Sequence, residues 1–173
     1  MVRFSLLLAV ALALFACEDD PKPVCDDDGV CECAGRESCE ADCRTGSCDI
    51  DCNALNSCDA TCEDDCAVDC NDLDDCDVAC EADCQIDCNS LSNCDAACGD
   101  RCDYQCRNAS TCDVDVGDAS SVDCSSVGSC AVDCQGACEV DCSNTGTCDV
   151  RCLDAEGAPS EPEVFDFTRY VCG

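Results

Sequence analysis

The sequence predicts an all-β fold, a disulfide-stapled β-solenoid of 18-residue coils. Three observations carry this expectation: cysteines that recur with a fixed period, two-residue alternation between them, and a composition without a conventional core.

The period is explicit. Cys52, Cys70, Cys88, Cys106, Cys124 and Cys142 are each 18 residues apart. A full unit reads C-x5-C-x3-C-x3-C-x3, as in "CNDLDDCDVACEADCQID" from Cys70. The leading unit from Cys33 has one extra residue between Cys43 and Cys48, and a half unit runs from Cys142 to Cys152. Such units cannot bury a face alone and are expected to stack.

Alternation assigns the strands. Cys76-Asp77-Val78-Ala79-Cys80 and Cys84-Gln85-Ile86-Asp87-Cys88 place Cys, an aliphatic residue and Cys at i, i+2 and i+4, with mostly polar residues between. Down the units, one inner column reads Ile50, Val68, Ile86, Tyr104, Val122, Val140. The other reads Ala60, Val78, Ala96, Val114, Val132, Val150. Many members are β-branched, which suits strands. Three residues link the strands on one side and five on the other, where Leu55, Leu73, Leu91 and Val127 form a third apolar column. Coils are expected to stack about 4.8 Å apart by parallel pairing. The alternative is a set of disulfide-linked short helical hairpins, because Cys at i and i+4 share a helix face. The abundance of Asp, Asn, Cys and Gly and the five-residue step count against it.

The chain has 29 Cys, no His, no Trp and 3% aromatic residues. Large apolar side chains normally supply most burial energy, so sulfur has to pack or crosslink instead. One unit, "CDVDVGDASSVDC", has Val116 and Ser120 where its neighbours carry cysteines. Both missing positions flank one three-residue turn, as the two ends of a single bond would. The expected local pairs on the short side are Cys43–Cys48, Cys62–Cys66, Cys80–Cys84, Cys98–Cys102 and Cys134–Cys138. On the long side they are Cys33–Cys39, Cys52–Cys58, Cys70–Cys76, Cys88–Cys94, Cys106–Cys112, Cys124–Cys130 and Cys142–Cys148. Cys25–Cys31 and Cys152–Cys172 close the ends. Bonds between consecutive coils are the rival connectivity, since those Cα atoms are also about 5 Å apart. A thiolate metal cluster fits less well. The chain has one C-x-C, Cys31-Glu32-Cys33, and no C-x-x-C.

Formal net charge is −32, from 40 acids and 8 bases, which excludes a basic face for nucleic acid. Outward strand positions stack Asp51, Asp69, Asp87, Asp123 and Asp141 in one column, interrupted by Gln105. Asp59, Asp77, Asp95, Asp113 and Asp149 form another, interrupted by Ala131. Repulsion along such a column is relieved by screening, raised pKa values or bound Ca²⁺. The first column is therefore the candidate for weak Ca²⁺ binding, beside its plainer reading as a hydrated, solubilising face; no other cofactor is expected. Asn53, Asn71 and Asn89 align at a corner and are expected to point inward and satisfy turn backbone. Without His, neither Ser-His nor Cys-His catalysis is available, and no carboxylate pair stands out. The chain is not expected to be an enzyme.

The N-terminus reads as an address. "MVRFSLLLAVALALFAC" has Arg3 and an apolar run from Leu6 to Phe15, of signal-peptide rather than membrane-spanning length. Leu14-Phe15-Ala16-Cys17 resembles the bacterial lipobox, which implies lipidation of Cys17. That leaves 28 cysteines, an even number. The expected organisation is a signal peptide over 1–16, lipidated Cys17 and an acidic tether over 17–32, repeats over 33–153 and a C-terminal cap over 154–173. The cap holds Phe165, Phe167 and Tyr170.

The lipobox and the repeated "SC-x-V-x-C" segments, as at Ser129-Cys130-Ala131-Val132-Asp133-Cys134, resemble uncharacterised Cys-rich repeat lipoproteins of myxobacterial type. That resemblance implies an exported protein anchored by lipid at the outer membrane or cell surface, and carries no activity. The expectation is a structural or interaction role at the cell envelope, with the membrane as one partner and a further protein or surface partner. The alternative is a divalent-cation or metal-sequestering protein.

Overall fold

The computed structural model describes residues 25–26, 29–33, 36–43, 46–154 and 156–173. The expected signal peptide, Cys17 and residues 18–24 of the tether lie outside the described residues. The chain is a β-solenoid of about seven coils. Among the described residues there is no helix, so the helical hairpins do not occur.

Two parallel sheets face each other. One contains β1 (Val30–Glu32), β3 (Asp49–Asn53), β5 (Ala67–Asn71), β7 (Gln85–Asn89), β9 (Asp103–Arg107), β11 (Ser120–Ser125) and β13 (Cys138–Ser143). The other contains β2 (Ser38–Cys43), β4 (Ser57–Asp64), β6 (Asp75–Ala82), β8 (Asn93–Asp100), β10 (Thr111–Val116), β12 (Ser129–Gln135) and β14 (Thr147–Leu153). Register follows the repeat: Cys52 lies beside Cys70, Cys70 beside Cys88, Cys58 beside Cys76 and Cys76 beside Cys94. A one-residue slip would turn every cysteine outward, so the buried sulfur fixes the register.

Burial alternates along each strand, and the inner residues are those the alternation names. Ile50, Ile86, Tyr104, Val114, Val122, Val132 and Val140 are fully buried, with Leu55, Leu73, Leu91 and Val127 buried at the long corner. Tyr104 is the largest of them; its hydroxyl donates to the Cys94 carbonyl at 3.4 Å. In the coil that holds Tyr104, the inner residue of the facing strand is Ala96, where the next coil has Val114 and Val122. One bulky side chain is thus accommodated by a small one opposite, which keeps the interior close-packed.

Each coil turns through residues in the left-handed region. On the long side these are Ala54, Asp72, Ser90, Asn108, Ser126 and Asn144. On the short side they are Asp65, Asp83, Arg101 and Ala119. This conformation costs a non-glycine residue roughly 1–2 kcal/mol. Here it aims the amide along the stack: Ala54 N–H reaches the Asn71 carbonyl at 3.0 Å and Asp83 N–H reaches Asp100 at 2.9 Å. Nine of these ten corner amides, all but that of Asn144, are bonded in this way to the next coil. Gly99 is needed for a different reason, because a Cβ there would sit 1.8 Å from the Glu81 carbonyl oxygen.

The C-terminal segment reverses direction. β15 (Pro159–Ser160) pairs antiparallel with β14, and the hairpin of β16 (Glu163–Asp166) and β17 (Arg169–Cys172) lays β17 antiparallel on β13. The last coil of each sheet is thereby covered, as a solenoid end requires.

Candidate functional site: a sulfur ladder and two aspartate columns

Cysteine occupies inward positions at both ends of the flattened coil. Its small side chain lets the two strands approach at each turn. Among the described residues thirteen disulfides form, all between residues of one coil or its cap. Their Cα atoms lie 4.3 to 6.6 Å apart. Seven close the long side from Cys33–Cys39 to Cys142–Cys148. Four close the short side: Cys43–Cys48, Cys80–Cys84, Cys98–Cys102 and Cys134–Cys138. Cys25–Cys31 and Cys152–Cys172 close the ends. The inter-coil connectivity does not occur among them. Neighbouring rungs still touch: the Cys33 and Cys52 sulfurs are 3.9 Å apart. Many disulfides of this kind belong to an oxidising, extracytoplasmic compartment.

The expected pair Cys62–Cys66 is a correction. Both residues are buried thiols without a bond between them. The backbone is not the obstacle, since Asp65 has φ 58° and the equivalent Asp83 in the bonded Cys80–Cys84 turn has φ 56°. Burial, then the neighbouring Cys66 side chain, holds the Cys62 thiol well above its ordinary range. The Cys66 sulfur lies within 4.8 Å of the Cys43 and Cys48 sulfurs and within 4.8 Å of those of Cys80 and Cys84. Other close sulfur triads, such as Cys52, Cys58 and Cys70, are all oxidised and have no thiolate to offer a metal.

The short-side ladder is interrupted where the sequence lacks cysteine. Val116 lies in register between Cys98 and Cys134 and is buried. Ser120 is the one buried polar residue among the described residues. Its hydroxyl accepts from Cys102 N–H at 3.1 Å and donates to the Gly99 carbonyl at 3.4 Å. The missing rung is replaced by a buried valine and two hydrogen bonds.

The carboxylates stack as the period dictates, but the two columns differ. In the first, Asp51, Asp69, Asp87, Gln105, Asp123 and Asp141 are in register. Asn53 donates to Asp51, Asn71 donates to Asp69, and Arg107 pairs with Asp87. The asparagines expected to point inward are thus on the outside. Cys52, Cys70 and Cys88 hold the buried positions beside them, so strand alternation turns Asn53, Asn71 and Asn89 outward. Asp69 and Asp123 are nevertheless pushed above the usual carboxylate range, first by desolvation and then by their acidic neighbours.

The second column runs Glu40, Asp59, Asp77, Asp95, Asp113, Ala131, Asp149 in register and contains no basic residue. A shallow groove there is lined by Asp59, Asp77, Asp95, Asp113 and Asp115. Desolvation, followed by the charges of Asp77 and Asp113, raises Asp95. Desolvation and Asp133 raise Asp115. Of the two acidic faces, this one has no arginine within its carboxylate column, whereas Arg107 pairs with Asp87 in the other.

Arginines relieve repulsion at fixed places. Arg101 pairs with Asp83 at 2.5 Å, Arg151 with Asp133 at 2.7 Å and Arg169 with Glu139 at 2.5 Å. Arg101 and Arg151 each follow their partner by 18 residues, a signal present in the sequence. Arg107 reaches Asp87 across 20 residues, a diagonal that the period does not indicate.

No family model, curated protein or solved structure matches the chain. Among the described residues, no helix is long and apolar enough to cross a membrane.

Proposed function

We propose that the protein is an exported, lipid-anchored repeat protein with a structural or interaction role at the bacterial cell envelope. The observation that carries this reading is the run of disulfide rungs along the whole stack. Such a stack is a stiff, acidic rod suited to holding its far end away from an attachment point. The lipobox-like Leu14-Phe15-Ala16-Cys17 supplies the attachment, and a single acyl signal needs reinforcement by further chains for stable anchoring. At the opposite end the cap displays Val164, Phe165 and Phe167 to solvent, Phe167 completely. The experiment is fatty-acid labelling of the full chain in a bacterial host, compared with Cys17→Ser. Label and membrane fractionation in the parent, both lost in the variant, support the anchor; release of the parent as unlabelled soluble protein refutes it.

A second reading, weak divalent-cation binding, is favoured by the groove of Asp59, Asp77, Asp95, Asp113 and Asp115. Hard cations take carboxylate oxygens. Isothermal titration with Ca²⁺ against a Na⁺ control of equal ionic strength tests it. Saturable heat that disappears in Asp95→Asn supports binding, and heat that matches the Na⁺ control removes it.

A further inference from the structure

The thirteen disulfides share one rule of connectivity. Each joins two cysteines that are consecutive in the sequence, from Cys25–Cys31 to Cys142–Cys148, and even the 20-residue closure Cys152–Cys172 skips no cysteine. Cys62 and Cys66 are consecutive too, so the count passes them unshifted. Proximity in an unfolded chain does not select this set. Cys76 is four residues from Cys80 and six from Cys70, yet its partner is Cys70, and loop closure gives the longer loop no advantage. The partner found is the one that precedes it in the chain. Counted from the wrong cysteine, consecutive pairs fall within single strands, as Cys76 and Cys80 do in β6 or Cys94 and Cys98 in β8. Four strand steps span roughly 13 Å, about twice what a disulfide bridges.

We propose that the ladder is laid down rung by rung from the N-terminus, by a dithiol oxidase that meets the chain as it enters an oxidising compartment, and that it needs no disulfide isomerase. As each pair emerges, the earlier rungs are already closed, so its two thiols find each other. The first cysteine of the pair, as a thiolate, attacks the disulfide of the oxidase. A mixed disulfide forms, and one oxidase sulfur leaves and takes up a proton. The second cysteine loses its proton and attacks the chain's own sulfur in the mixed disulfide. The rung closes, and the other oxidase sulfur leaves as a thiol. Per rung the chain loses two protons and two electrons, and the oxidase gains them as a dithiol. Counting starts at Cys25, so Cys17 has to stay out of the series, as lipidation of its sulfur ensures.

The inference rests on export and not on the anchor. Cys17→Ser, which cannot be lipidated, should give the parent's disulfide map, and a shifted map there overturns the proposal. The test is non-reducing peptide mapping of the full chain, alkylated at harvest, from a secreting bacterial host and from the same host without its disulfide isomerase. The expected result is the same thirteen rungs in both hosts with no loss of yield. Cys62 and Cys66 should be joined to each other or to no other cysteine. Rungs lost without the isomerase overturn the proposal. Direction is read with Cys124→Ser in the isomerase-lacking host. The orphaned Cys130 should take Cys134, and mis-pairing should run only toward the C-terminus, leaving Cys106–Cys112 and earlier rungs in place. Cys124→Ser/Cys130→Ser lacks a whole rung and should nevertheless recover Cys134–Cys138 and Cys142–Cys148. A double variant no better than the single one, or mis-pairing spread equally to both sides of the lesion, overturns pairing in order of emergence.

Discussion

The cap is the place where one disulfide can be separated from the rest. Its hairpin buries little: Cys172 is buried and Tyr170 partly so, while Val164, Phe165 and Phe167 face solvent. It is held by the β13–β17 ladder, by Cys142 N–H donating to the Thr168 carbonyl at 2.7 Å, by Arg169 on Glu139 and by Cys152–Cys172. That disulfide spans 20 residues, the longest separation of the thirteen. The loop-entropy model then assigns it about 3 kcal/mol. The exposed ion pair adds at most about 1 kcal/mol. Replacing both cysteines, Cys152→Ser/Cys172→Ser, should therefore raise opening of the hairpin roughly 100-fold, since about 1.4 kcal/mol is tenfold. A stacked array responds locally, so β7 and β9 should keep their protection. Hydrogen exchange at Tyr170 and Val171, with tryptic cleavage after Arg169 as a second readout, measures this. Unchanged exchange in the cap, or protection lost evenly through all coils, would refute the reasoning.

Two further tests address the interior and the charge. Tyr104→Val leaves a cavity and Ala96→Val alone overpacks, the latter costing about 1–3 kcal/mol. The double substitution reproduces the Val–Val pairing of the next coil and should recover at least about 1 kcal/mol of coupling in a denaturant-melt cycle; simple additivity would show that the two side chains do not share a space. The raised carboxyls of Asp69, Asp95, Asp115 and Asp123 give stability an unusual slope. A carboxyl with a folded pKa above its unfolded value binds more protons when folded, so its ionisation opposes folding. The penalty is present above the raised folded pKa, is relieved as pH falls through it, and is gone below the unfolded value near 4. Guanidinium midpoints should rise as pH falls toward that unfolded value, and a steady fall on the same approach would contradict the carboxylate assignment.

Much of the fold was legible because a period of 18 residues reports two things at once. It gives the alternation along each strand and the residue that lies above it in the next coil. Hence the inner columns, the stacked aspartates and the turn disulfides could all be read from spacing. The Val116 and Ser120 unit was the most informative, since a joint loss of two cysteines is the trace of a bond within the turn. Spacing could not tell Cys62-x3-Cys66 from Cys80-x3-Cys84, for the two are identical in sequence distance and in backbone turn. Alignment at a corner likewise left the facing of Asn53, Asn71 and Asn89 open, and alternation from the buried Cys52, Cys70 and Cys88 turns them outward.

By itself the sequence determined an all-β stack with sulfur where other proteins place large apolar groups, because period and alternation are properties of the chain alone. Only the tertiary structure decided that the Cys66 sulfur lies beside those of two neighbouring disulfides. It also decided that Tyr104 fits opposite Ala96, that Arg107 reaches diagonally to Asp87, and that β17 runs antiparallel onto β13. Each of these depends on which atoms meet across space. Side-chain rotation and chain reversal are settled by packing in three dimensions and leave no mark in a one-dimensional repeat.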